Sequence, residues 1–229
     1  AKMPRKIRGD SAFIQINSVE ELLVTGAITT KSFLEVFVDS PLPTDNNEYW
    51  LKYDVTTLYS FFEIVCSPLG PPPDICFIPG RNDPQLIRLI NGQRFSGDRL
   101  ENFKVNQKRL LPDNFEYRGR HYFLVNQQSI TEDAFNYWDK LNRVANQTGS
   151  IFDAPPAGVP GNIYNVDDPT ETVLGYFELT NTDSLRTYIT EGEIFQEYQF
   201  TTLVCPTPFR FNAQFFRECC NCELIEGAT

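Results

Sequence analysis

The sequence predicts a mainly β protein: an antiparallel β-sandwich-like domain with one amphipathic helix, at about residues 130–147, packed on it. Three observations carry that reading. Aromatic residues are abundant, with 19 Phe and 10 Tyr, and aromatics favour a pleated, half-buried surface. Short segments alternate apolar with polar side chains, which is the period of a strand. Pro, Gly, Asn and Asp punctuate those segments in the manner of a sandwich, not of alternating strand–helix units. With 229 residues, 41% of them hydrophobic, the chain is able to bury a sizeable core.

Taken in order, the chain opens on a basic cluster, "KMPRKIR" at Lys2 to Arg8, which reads as a solvated, flexible end. "AFIQI" (Ala12 to Ile16) and "SFLEVFVD" (Ser32 to Asp39) alternate as half-buried strands do. "EYWLKYDVTTLYSFFEIV", Glu48 to Val65, exceeds an ordinary strand, so a bend, a bulge or a crossing between sheets is expected. Shorter strands are expected at Gln85 to Ile90 and Asn102 to Asn106. A stronger one, Arg120 to Gln128, is entered through a turn at Arg118 and Gly119. "TVLGYFEL" (Thr172 to Leu179) and "LRTYIT" (Leu185 to Thr190) read as a strand pair joined through "TNTDS".

The helix is marked at both ends. Ser129 and Glu132 have the S-x-x-E spacing of a capping box, and Glu132 and Asp133 put negative charge at the positive end of the helix dipole. Ala134, Phe135, Trp138, Leu141, Val144 and Ala145 then recur near a 3.6-residue period, so a face led by Phe135, Trp138 and Leu141 should bury against a sheet. Gly149 offers a left-handed stop, and Pro155 and Pro156 forbid continuation.

Charge and cysteine usage bound the partners and the compartment. A net charge of −10 argues against nucleic acid and anionic lipid, which are held through clustered Lys and Arg. Cys66, Cys76, Cys205, Cys219, Cys220 and Cys222 are an even number in two local clusters, which suits an oxidised, extracytoplasmic protein. Cys66 and Cys76 flank a turn-rich loop that brings two strand ends within disulfide reach. A zinc site from Cys205, Cys219, Cys220 and Cys222 fits the usual paired-knuckle spacing poorly.

The search for chemistry returns no template: no P-loop, no G-x-S-x-G elbow, no H-E-x-x-H and no dinucleotide fingerprint. His121, the sole histidine, falls inside an expected strand. "NVDDPTE" (Asn165 to Glu171) lacks the spaced ligands and central glycine of a calcium loop and reads as a turn begun at Asp168–Pro169. "NQT" at Asn146 to Thr148 matches a glycosylation sequon in the last helical turn. No cofactor, no metal and no catalytic residue are expected.

"HYFLVNQQSITEDAFNYWDKL", "TGSIFDAPPAGVPGNIYNVDDPTETVLGYFE" and "CCNCELIEGAT" carry a resemblance. In that order they resemble a Bacteroidota outer-membrane lipoprotein family known as a domain of unknown function, DUF4249. "MPRKIRGDS", Met3 to Ser11, looks like the connector that follows an N-terminal sandwich in such proteins. The resemblance implies that residues 1–229 are the C-terminal β-rich domain of a longer lipoprotein. Residues 1–11 would be the connector from an immunoglobulin-like sandwich and residues 205–229 a Cys-rich tail. It implies a place on the cell surface at the outer membrane, with a lipid anchor outside this chain, and a β-barrel partner such as a TonB-dependent transporter or an assembly complex. The cysteine pair Cys219–Cys220 departs from the simpler C-x-x-C of the family pattern.

The function expected from these readings is a non-enzymatic accessory or scaffold to such a complex. The alternatives are a carbohydrate- or peptide-binding module for nutrient capture and, more remotely, a hydrolase. Proline-stiffened loops order at little entropic cost. The expected contact residues are therefore Pro71, Pro72 and Pro73 in the cysteine loop, and Phe152, Pro155, Pro156 and Tyr164 after the helix.

Overall fold

A computed structural model describes residues 3–45, 48–62, 75–80, 87–95, 97–111, 119–146 and 158–198. Two antiparallel sheets form the body. The first contains β1 (Ser11–Leu22), β2 (Ile28–Pro41) and β6 (Arg99–Leu110), in the order β1-β2-β6. The second runs β4 (Ile75–Pro79), β3 (Trp50–Phe62), β7 (Arg120–Ile130), β8 (Asn181–Ile189), with β5 (Arg88–Asn91) also paired to β3. Helix α1 (Glu132–Ala145) follows β7, and a short α2 (Glu191–Glu197) follows β8.

The period-two pattern decides which side chains meet between the sheets. Leu34, Val36 and Val38 of β2, with Leu100, Val105 and Leu110 of β6, face Leu51, Tyr53 and Val55 of β3 and Phe123 and Val125 of β7 in one buried cluster. β3 is long because it serves neighbours on both sides. It pairs β7 in unbroken register from Trp50 to Ser60, while its other edge takes β5 along Trp50–Tyr53 and β4 along Leu58–Phe62.

The irregularities lie elsewhere, where β6 slips against β2 between Val36 and Phe37 and again between Val38 and Ser40. Asn102 adopts φ 50° there, a left-handed conformation that Asn tolerates. Its N–H, which has lost a ladder partner, donates to Asp39 Oδ1 at 2.8 Å.

Several expectations need correction. The basic end is not a solvated tail: Met3 to Asp10 is fastened to the mouth of the sandwich. Ile7 is buried in the main core. Its N–H donates to Ser129 Oγ at 3.3 Å, and Gln127 Nε2 donates to its carbonyl at 3.0 Å. The Gly9 N–H reaches Asp183 Oδ2 at 3.0 Å, and Lys6 pairs with the same carboxylate. An Ile flanked by Lys and Arg supplies an apolar anchor that the charge count hid. Ser129 therefore ends β7 and caps nothing; the N-cap of α1 is Thr131, whose side chain accepts from the Ala134 N–H at 3.3 Å. Thr172 to Leu179 is not a strand, and β8 pairs with β7 instead. Asn102 to Asn106 is the middle of a longer strand, and the expected strand at Gln85 to Ile90 is described only as β5. α2 was not expected from the pattern. Its Thr190 and Glu193 form a reciprocal capping box, a signal that was present in the sequence beside a helix-weakening Gly192.

Candidate interaction surface

On the outer face of the second sheet, Ile130, Ala134 and Phe135 form a small core with Trp50, Leu89, Trp138 and Tyr176. The amphipathic face of α1 thus buries against the sheet through Ala134 and Phe135, with Trp138 half-covered. Trp138 and Tyr137 then receive a segment that arrives from far along the chain. Glu178 forms an ion pair with Lys52 of β3 and accepts the Trp138 indole N–H at 2.9 Å. The Lys52 ammonium lies 3.9 Å from the centre of the Trp138 ring, close enough for cation–π attraction. Tyr176 stacks on Tyr137 at 4.7 Å. Burial, with Asp133 nearby, pushes the Tyr176 hydroxyl above its ordinary pKa.

The segment is also tied to itself. Asn162 takes the place of a ladder partner: its Oδ1 accepts the Phe177 N–H and its Nδ2 donates to the Phe177 carbonyl, each at 2.7 Å. Pro160 and Leu174 form an isolated bridge. Gly161 passes so close to Gly175 that a Cβ on Gly161 would sit 1.5 Å from the Gly175 carbonyl oxygen. Between these braces the chain turns at Asp168, whose Oδ1 accepts the Thr170 N–H at 3.0 Å and the Thr170 hydroxyl at 2.6 Å. Those bonds hold the Asp168 carboxyl below its ordinary pKa. The acidic run is a turn, as its sequence suggested, and among the described residues no cluster of His, Cys, Asp or Glu is arranged to hold a metal.

Beside the polar turn at Asp167 to Thr172, this frame exposes large apolar side chains. Ile163, Tyr164, Val166, Leu174, Phe177 and Leu179 all stand in solvent, with Val166 at 79% and Phe177 at 68% exposure. Isolated exposed apolar side chains are ordinary, but several carried on one braced segment make this a candidate interaction surface.

Of the contact residues expected from sequence, Tyr164 lies on this surface, 72% exposed. Pro71, Pro72, Pro73, Phe152, Pro155 and Pro156 lie outside the described residues, as do Cys66, Cys205, Cys219, Cys220 and Cys222. Cys76 is fully buried in β4 and is disulfide-bonded. His121 is buried in β7 with its ring stacked on Tyr59 at 5.7 Å.

The family model "Domain of unknown function (DUF4249)" matches residues 11–186, which takes in both sheets but for the last three residues of β8, together with α1 and the braced segment. The chain belongs to the DUF4249 family. No curated protein and no solved structure matches this DUF4249 chain. The "YW" pair of its helix and the "G-Y-F-E" run, which look like separate motifs in sequence, meet in space as Tyr137 and Trp138 against Tyr176 and Glu178. Sequence reasoning missed Lys52 and Glu178. A lysine at an outward strand position and a glutamate after an aromatic pair give no sign of each other at a separation of 126 residues.

Proposed function

We propose that this chain is a non-enzymatic accessory region at the cell surface that docks onto a β-barrel outer-membrane protein, such as a TonB-dependent transporter or an assembly complex. The single observation that carries the docking is the apolar surface of Tyr164, Val166, Leu174 and Phe177 on a segment braced before any partner arrives. Preorganisation lowers the entropic cost of association. The compartment and the kind of partner come from the family resemblance, together with an acidic chain and cysteines suited to oxidation. A non-catalytic role is supported by His121, which is 3% exposed behind the ladder and out of reach of a substrate. Photo-crosslinking from position 164 or 177 in native membranes is expected to capture a β-barrel protein. Equal co-purification of that partner with wild type and with a Tyr164→Ser/Val166→Ser/Phe177→Ser variant would overturn the reading.

A second reading, capture of a carbohydrate or peptide, has one observation in its favour. A cleft of about 530 Å³ between the connector and the start of α1 is lined by Tyr49 and Trp50 beside Asp45, Glu48, Glu132 and Arg5. Aromatic walls with a few polar groups suit such ligands. Glycan and peptide arrays with wild type and Trp50→Ala test it; array hits that Trp50→Ala leaves unchanged would sink it.

A further inference from the structure

The hairpin of β1 and β2 runs past the body of the sandwich. Among the described residues β6 accompanies β2 as far as the Ser32–Leu110 pair, and β1 and β2 continue pairing to Leu22–Ile28. Ser18 and Ser32, hydrogen-bonded at 2.7 Å, mark where the inward face leaves the core. Beyond them the same face carries Leu22 directly opposite Ile28, exposed at 72% and 67%. Leu23 and the fully exposed Val24 complete the end.

Three features say what kind of surroundings this end fits. Its large side chains are all aliphatic, and no charged residue lies between Leu22 and Thr30. Its turn is closed by two backbone hydrogen bonds: the Leu23 N–H donates to the Ala27 carbonyl and the Gly26 N–H to the Leu23 carbonyl, both at 2.8 Å. Gly26 takes the left-handed φ of 82° that the turn needs. Each backbone group paired within the turn is one fewer to strip of water on leaving the aqueous phase. Charge returns only at the base, where Glu21 and Lys31 form an ion pair beside Glu20. At about 3.4 Å per residue, the end reaches roughly 10 Å beyond that pair, comparable to the depth at which interfacial apolar groups meet acyl chains.

We propose that the tip of the β1–β2 hairpin, Leu22 to Ile28, inserts into the acyl layer of a lipid bilayer. The collar carries one net negative charge in a chain of net charge −10, so the surface it fits is zwitterionic and not anionic. This insertion does not depend on the braced segment, which lies on a different part of the molecule.

Flotation with phosphatidylcholine vesicles tests it. Wild type is expected to float, and Leu23→Asp/Val24→Asp to lose about tenfold or more of its partitioning. Both altered residues are exposed, so an unchanged thermal melt confirms that the variant is folded. Replacing a third of the lipid with phosphatidylglycerol is expected to leave partitioning the same or weaker. A Tyr164→Ser/Phe177→Ser variant should float like wild type, which separates failure here from failure of the docking surface. No flotation of wild type, or equal flotation of both hairpin forms, would overturn the proposal. It also fails if the tip variant keeps its lipid partitioning but loses a protein partner, since the tip would then fill a groove in that protein.

Discussion

Glu178→Gln tests the brace between the exposed segment and the sandwich. The substitution keeps the shape of the side chain and an oxygen able to accept the Trp138 N–H, so it removes charge and little else. The Lys52 ammonium is left without its partner in a place where the Lys52 side chain is only 12% exposed and that of Glu178 16%. Removing one member of a fully buried pair costs about 3–5 kcal/mol. Residual access to water and the Trp138 ring face beneath Lys52 reduce that to about 2–3 kcal/mol here. Urea unfolding followed by circular dichroism should show a loss of that size, and amide exchange of residues 174–180 should quicken. The Lys52→Met/Glu178→Gln double variant should recover most of the loss, because the cost lies in a stranded cation and not in an absent contact. If Glu178→Gln shifts stability by less than about 0.5 kcal/mol, the level of an ordinary surface change, and leaves exchange untouched, the ion pair is not what holds the segment.

Four further outcomes follow from the same structure. Gln127 is fully buried and accepts the Ser40 hydroxyl at 2.6 Å and the Tyr53 hydroxyl at 3.0 Å. Gln127→Leu removes the acceptor of both hydroxyls and the donor to the Ile7 carbonyl and should cost about 3 kcal/mol in urea unfolding, while adding Ser40→Ala and Tyr53→Phe should return part of it. Ile7→Ala should cost about 2–4 kcal/mol; no loss would restore the picture of a free terminus. In Gly161→Ala the Cβ falls 1.5 Å from a carbonyl oxygen, so the braces must open. Limited proteolysis between residues 158 and 180 should speed up while the main melt stays in place. The Asp183 carboxyl is held below its ordinary value: burial pushes it up, but hydrogen bonds from Lys6 and the Gly9 N–H and the charges of Lys6 and Arg8 outweigh that. Its folded pKa is depressed, so its stabilisation is present above the unfolded value of about 3.9 and is lost as pH falls through the folded value. The stability gap between wild type and Asp183→Asn should therefore narrow steadily on acidification below about pH 4.

What the sequence could reveal followed from where each pattern's partner lay. Both sheets were legible because the alternation of Leu34, Val36 and Val38, or of Phe123 and Val125, records a two-faced environment directly. α1 was legible from its period, but its first residue was misplaced, because Ser129 and Thr131 are both good caps and tertiary packing chose between them. The Ser129 hydroxyl is committed to Ile7, 122 positions away. The basic end was misread as a solvated tail for the same reason. Its charges are visible locally, whereas the socket for Ile7 is built from strands that come later. The hairpin end was missed because Leu22, Leu23, Val24 and Ile28 make no alternating pattern across their turn.

Thr172 to Leu179 shows how a correct pattern led to an incorrect element. The alternation is real from Tyr176 onward: Tyr176 and Glu178 are turned inward, while Phe177 and Leu179 are exposed. A strand needs a ladder, however, and here the inward side meets a helix and a lysine side chain while one isolated bridge, Pro160 to Leu174, and the Asn162 side chain stand in for a neighbouring strand. Period two therefore reports an extended chain with two environments, whatever supplies them. That geometry links the two halves of the segment mechanically. Phe177 and Leu179 can keep their positions only while Tyr176 and Glu178 keep theirs, since the four alternate along one backbone. Variants of Tyr164 and Phe177 should lose a partner at unchanged stability, whereas variants of Trp138 or Glu178 should lose both together. A docking surface that survived loosening of Glu178 would have to be positioned by something other than this segment.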